Sequence, residues 1–403
     1  MTIAHPIARS WVSTGGTGAQ NYDEFADDAE ITAIIEQNPA SALAVEMPHR
    51  TPAAVAAGQR FGDALPVAAE LLRQLQADGR FRAVEHAVAI YRITGGGDTA
   101  YGLFCMVDTD QISTSADEPG LVIRNEDVFV EKVAERTALA AATGHLLSPV
   151  LLLQTATGEQ LQEALVSAAR QAGAPAVSDT DQHGRSHDVW LLGPGAEAER
   201  LLALAGGGEL IVADGNHRSL AAQTGQLSRF LAVVCAPGSV TIQPYNRLVS
   251  ELSMAVPELL DLLRARRATV RELPGRPQTP GSGGAIHLYA DGVGYAVELP
   301  APDGASVVER LDHAVVESVL FRDALGLDPG DKRITYVGGD YPASWLCDEV
   351  DAGRAALAVL IAPVTVEDFV AVNLDRQKMP RKSTWFTPKA RAGLVLADLG
   401  AQQ

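Results

Sequence analysis

An acid, a glycine, an imidazole and a guanidinium fall within one short run, Asp214-Gly215-Asn216-His217-Arg218. The apolar residues Leu210 to Ala213 before it predict a buried strand, Asp214-Gly215 a sharp turn, and the Ala- and Leu-rich residues after it a helix. Gly215 lets the backbone turn tightly and lets a ligand approach with no Cβ in the way. The first turn of the helix offers unpaired N–H groups at the positive end of the helix dipole, which suits an anion. Arg218 can fork onto a phosphate, and His217 can donate to it or move a proton. Asp214, at the carboxyl end of the strand, can hold a magnesium ion or accept a hydroxyl proton. The same residue types also describe an ordinary helix start, in which Asp214 or Asn216 is the N-cap and His217 and Arg218 are solvated.

A second concentration of charge lies in Arg376, Lys378, Arg381, Lys382, Lys389 and Arg391, with no carboxylate from 376 to 397. The whole chain has 403 residues and a net charge of −18, so this island reverses the prevailing sign. Pro380 and Pro388 stiffen it, Ser383 and Thr384 add hydroxyls, and Lys382 can act as a point charge on a polyphosphate. The alternative is a solvated loop or a surface paired with the acidic stretch Asp23, Glu24, Asp27, Asp28 and Glu30. Shared chemistry predicts that Met379 to Lys389 and Asp214 converge on one cleft.

The elements that must position these groups alternate between helix and strand, which favours an α+β (mixed α/β) fold. Helices are predicted over Ile31 to Ile35, Val67 to Gln76, Asp127 to Thr143, Glu159 to Ala172, Ala196 to Leu204 and Leu311 to Leu325. Strands Ala87 to Ile93 and Tyr101 to Val107 flank the turn Thr94-Gly95-Gly96-Gly97-Asp98, and a second hairpin is expected around Asp181 to Gly184. The Pro- and Gly-rich segment Pro274 to Gly284 reads as a linker. It suggests an α/β core over 1–270 and a smaller C-terminal α/β region over 271–403.

Composition narrows the function classes. Hydrophobic residues make up 47% and charged residues 20%, ordinary for a globular chain. The acidic balance disfavours nucleic acid and anionic membranes as partners. Cys105, Cys235 and Cys347 are far apart, form no C-x-x-C pair and sit among apolar residues, so they read as small buried hydrophobes. His183 and His187 have the spacing of a helical metal pair, but Gly184 argues for a hairpin. Thr94 to Asp98 lacks the Gly-Lys-Ser/Thr of a Walker loop. With no apolar leader or membrane-length run, the expected setting is the cytoplasm.

The motifs together resemble a bacterial family known as domain of unknown function 1015. Asp214 to Arg218 resembles its D-G-H-H-R signature. Met379-Pro380-Arg381-Lys382-Ser383-Thr384-Trp385-Phe386-Thr387-Pro388-Lys389 resembles its M-P-x-K-S-T-x-F-x-P-K element. Tyr22-Asp23, Asn38 to Ser41, Ile123 to Glu126, Glu135-Arg136 and Tyr245 to Leu248 resemble its remaining landmarks in order. Asn125, Asn216 and Asn246 stand where that pattern expects histidine, and asparagine cannot carry a proton near neutral pH.

The run also resembles the D-G-x-x-R element of nucleotide-dependent free-serine kinases, which implies a ParB/sulfiredoxin-like nucleotide-binding core. On that resemblance ATP or ADP would lie on Gly215, Asn216, His217, Arg218 and Arg247, with Lys382, Ser383, Thr384 and Lys389 completing the site. Mg²⁺ would sit at Asp214, and Asp214, His217 and Glu126 would do the chemistry. The implied activity is phosphoryl transfer to a free amino acid such as serine or a similar small hydroxyl compound. The alternatives are a nucleotide or phosphoester hydrolase, and a nucleotide-binding regulator without activity. The partners expected are the nucleotide and a small-molecule substrate, with a second copy of the chain as a further candidate.

Overall fold

The computed structural model describes residues 2–25, 27–113, 120–301 and 303–401. The chain forms two compact units, one of residues 1–240 with 388–403 and the other of residues 241–387. The expected boundary at 270 thus falls inside the second unit, at the strand Thr269–Leu273. The Pro- and Gly-rich residues 274–284 are a loop joining that strand to Ile286–Ala290, both of them in one sheet. The residues from Pro388 onward, expected in the C-terminal region, rejoin the first unit.

The first unit is built on a mixed sheet. Its strands run in the order Val122–Arg124, Leu210–Asp214, Val150–Gln154, Arg229–Cys235, Asp98–Asp108, Phe81–Gly95, Ile7–Ser13, Val395–Asp398 and His145–Leu146. Leu210–Asp214 is parallel to Val122–Arg124 and antiparallel to Val150–Gln154. Phe81–Gly95 and Asp98–Asp108 form the hairpin foreseen at the glycine turn, and Val177–Thr180 with Ser186–Leu192 forms the second. The helix Gly158–Ala172 brings Leu161, Ala164, Leu165 and Ala168 onto one face at helical spacing. That face packs with Val88, Leu103, Leu152, Val212 and Val234 in one hydrophobic core. Burying these side chains is the main force that holds the sheet under its helices.

The second unit has an antiparallel sheet in the order Thr269–Leu273, Val293–Glu298, Ile286–Ala290, Leu357–Leu360, Asn246–Val249 and Ile334–Val337. Leu259 and Leu263 of the helix Val256–Ala265 share a core with Leu320 and Phe321 of the π-helical stretch Val316–Leu325. A separate two-stranded ribbon pairs Thr241–Gln243 with Trp385–Thr387. All three cysteines are buried and free, and burial pushes the thiols of Cys105 and Cys235 up to about 12. Among the described residues no helix is long and apolar enough to cross a membrane.

Candidate functional site

The strand Leu210–Asp214 breaks register against Val150–Gln154 between Val212 and Asp214. Such an irregularity re-aims the side chain that follows it. Gly215 then takes a left-handed φ of 96° and caps the helix Asn216–Thr224, with no side-chain cap bond. The ordinary helix-start reading of Asp214 therefore fails: the cap is Gly215, and the Asp214 carboxylate points elsewhere. A Cβ on Gly215 would come within 3.0 Å of the Arg218 side chain. We expect Gly215→Ala to lower unfolding free energy by about 1–3 kcal/mol, as strain at a left-handed turn does. Urea titration checks this, and an unchanged midpoint would remove the turn as a constraint.

The Asp214 carboxylate is held between two cations. Arg218 Nη2 donates to Oδ2, and Lys389 Nζ lies 3.1 Å from Oδ1. The three side chains are 8% (Arg218), 13% (Asp214) and 10% (Lys389) exposed, so little solvent screens them. Arg218 Nη1 donates to the carbonyl of Pro149 at 2.5 Å and to Asn21 Oδ1 at 3.1 Å. Asn21 is fixed in turn, because its backbone and side-chain nitrogens both donate to Glu24 Oε1 at 3.0 Å. Arg218, expected to fork onto a phosphate, thus has its two terminal nitrogens engaged by acceptors on Asp214, Pro149 and Asn21.

His217 is buried and its ring lies parallel to that of Phe129, 6.1 Å between centres. The Phe129 backbone N–H donates to His217 Nε2 at 3.1 Å. That nitrogen is therefore an acceptor here, and the imidazole expected to move a proton anchors the loop before the helix Val130–Thr143. Glu126 lies in that loop, half-buried and four residues ahead of the helix, which starts at Val130 and not at the expected Asp127. Neighbouring Asn125 accepts from Asn216 Nδ2 at 2.5 Å. The single bond between two amides leaves one donor and one acceptor over, Asn125 Nδ2 and Asn216 Oδ1, both buried and without a partner among the described residues.

No group of three or more His, Cys, Asp or Glu that could hold a metal occurs among the described residues. Asp214, the expected magnesium ligand, has each oxygen against a cation. Its donor set does not fit Mg²⁺ in this arrangement.

The other expected residues lie in the second unit. Arg247 is fully buried, and its guanidinium donates to the carbonyls of Tyr245 at 2.8 Å and Lys382 at 3.0 Å, with Tyr336 under its plane. The residue expected on a phosphate here braces the loop that carries Lys382. Lys382 adopts a positive φ of 55° with Nζ 5.6 Å from the Tyr245 ring centre. Ser383 is fully buried and its Oγ has no partner among the described residues, while Thr384 is half-buried. His313 lies in the same unit, and burial, then the Arg247 charge, push its imidazole down to about 3. Of the basic island, then, Lys389 is the cation placed on Asp214.

Sequence reasoning passed over Asn21 and took Glu24 only as part of the acidic stretch. Their signal was the N-x-x-E spacing of a capping box that leads into the acidic stretch. His183 and His187 belong to the second hairpin, as expected. His187 reaches Tyr91 Oη at 2.6 Å and Asp181 at 3.1 Å.

No curated protein matches this chain. Among solved structures, a free serine kinase variant in complex with AMP aligns with a TM-score of 0.42 at 12% identity, over 74% of this chain and 94% of that one. A conserved hypothetical protein from Pyrococcus furiosus aligns at 0.39 and 12% identity, over 72% and 93%. SbnI with a C-terminal truncation, from Staphylococcus aureus, aligns at 0.41 and 14% identity, over 74% and 89%. The family model described as protein of unknown function, DUF1015, matches residues 17–314, three quarters of the chain, and the chain belongs to that family.

Proposed function

We propose that the chain binds a nucleotide at the turn Asp214 to Arg218 and transfers a phosphoryl group to a small hydroxyl compound such as a free amino acid. The observation that carries this reading is the Arg218–Asp214–Lys389 cluster at the start of a helix: two cations and a helix N-terminus gathered around one carboxylate. The likeness of Asp214 to Arg218 to the D-G-x-x-R element of free-serine kinases supports it. Phosphate oxygens compete with Asp214 for Lys389, since both are anions seeking the same ammonium. A carboxylate released from Lys389 becomes available as the base for an incoming hydroxyl. Charge neutralisation and positioning are what phosphoryl transfer chiefly needs.

Calorimetric titration with ADP and ATP should show saturable binding that weakens as salt rises. Lys389→Met should reduce that affinity about tenfold, the loss of one charge-assisted contact. Phosphorus NMR should then show a phosphorylated product when serine is present. Release of inorganic phosphate with water alone would make the protein a hydrolase, and binding without turnover would make it a regulator. A folded protein that binds neither nucleotide would end the proposal.

A further inference from the structure

The first unit contains a second polar feature that the nucleotide reading leaves unused. Arg136, on the helix Val130–Thr143, is 6% exposed. The faces of its guanidinium are covered by aromatic rings, with Tyr22 4.1 Å and Phe61 4.9 Å from the Cζ atom. Its edges are not satisfied. Among the described residues Nε and Nη1 have no hydrogen-bond partner, and Nη2 has only the thioether sulfur of Met47, at 3.9 Å. A buried guanidinium without an oxygen acceptor is unfavourable, because burial takes its hydration and no described residue replaces it.

Arg136 borders a cavity of about 50 Å³, with Glu46, Ser148 and Arg218 also on its wall. Arg218 is already engaged by Asp214, so Arg136 is the cation left for an occupant. The rest of the wall is largely apolar, including Leu139, Leu227 and Phe230. By volume the cavity takes roughly four waters, or a solute of about five to seven non-hydrogen atoms. An inorganic phosphate would find one unsatisfied guanidinium and an apolar wall, too few donors for its oxygens. A carboxylate needs one planar fork, which a guanidinium edge supplies. Glu46, which accepts from the Ser148 hydroxyl, adds a carboxylate to the same wall and favours a ligand that also carries an ammonium group.

We propose that this cavity binds a small free α-amino acid, its carboxylate on Arg136, its ammonium on Glu46 and its short side chain against the apolar wall. Any link to catalysis rests on the phosphotransferase reading, with the acceptor reached across Arg218. The binding itself does not rest on it.

The test uses the full chain with no nucleotide, so its failure and that of the nucleotide reading are separable. Calorimetric titration with glycine, alanine and serine should give saturable binding, with propionate at least tenfold weaker than alanine. Arg136→Gln should weaken every ligand at least tenfold. Glu46→Gln should weaken alanine while leaving propionate unchanged. Ala140→Leu fills the cavity while keeping both charged residues and should abolish binding with the melting temperature retained, which keeps the test intact if Arg136→Gln fails to fold. No binding of any amino acid to the folded protein would overturn the proposal. So would full binding by Ala140→Leu, or propionate binding as tightly as alanine.

Discussion

Asp214→Asn is expected to lower the unfolding free energy of the first unit by about 3–5 kcal/mol, because it removes the carboxylate from two largely buried cations. Lys389→Met removes one cation and leaves Asp214 paired with Arg218, so its effect should be smaller, on the order of 1 kcal/mol. In the double variant the two changes should add to less than their sum, since Lys389 is no longer there to be left unpaired. A nucleotide provides the counter-test. If phosphates occupy the place the carboxylate vacates, saturating ADP should raise the melting temperature of Asp214→Asn by more than it raises that of the wild type. A variant as stable as the wild type, unresponsive to ADP, would show that the cluster holds neither the fold nor an anion.

Acidification should destabilise the second unit through His313. The unfolded imidazole takes up a proton near pH 6.5, whereas the folded one does so only at about 3. Between these values the unfolded state holds more protons. The contribution to stability is therefore complete above about pH 6.5 and is lost progressively as the pH falls toward 3. Over the whole window the loss is on the order of 4 kcal/mol. Burial is the main cause, and the Arg247 charge adds to it. In His313→Leu this part of the pH dependence should vanish, so urea midpoints measured from pH 7 to pH 4 should fall less steeply than in the wild type. Proton NMR offers a direct check: a His313 ring signal that titrates near pH 6 would refute the assignment.

Local signals in the sequence were the ones that survived folding. The glycine turn between Ile93 and Tyr101 produced its hairpin, and the run from Leu210 to Ala222 produced a strand, a left-handed glycine and a helix. In each case the information lies within a dozen residues: apolar periodicity on both sides of a residue that permits an unusual φ. What the arginines would touch was not legible. Arg218 carries its expected charge, yet its partners Asn21 and the Pro149 carbonyl come from distant segments. Arg247 likewise bonds a carbonyl at Lys382, and backbone carbonyls have no sequence signature. A guanidinium reads the same on a phosphate as on a peptide carbonyl, so residue type alone left both roles open. The start of the helix after Glu126 was misplaced for a related reason. Acids at 126 and 127 suit a first turn electrostatically, but the helix begins only at Val130, and the Phe129 amide before it is satisfied by His217.

The return of the chain to the first unit at Pro388 has a consequence for biosynthesis. The strand Val395–Asp398 lies between Ile7–Ser13 and His145–Leu146, and Lys389 supplies one of the two cations on Asp214. Neither can be in place until a ribosome has translated everything from Thr241 to Thr387. For that interval the nascent first unit exposes the hydrogen-bonding edge of Ile7–Ser13 and lacks a counter-charge. Unpaired edges invite pairing with other chains, so this interval is when a chaperone would matter most. Prior folding of the second unit shortens the effective tether between residues 240 and 388, which lowers the entropy lost when the last strand closes the sheet.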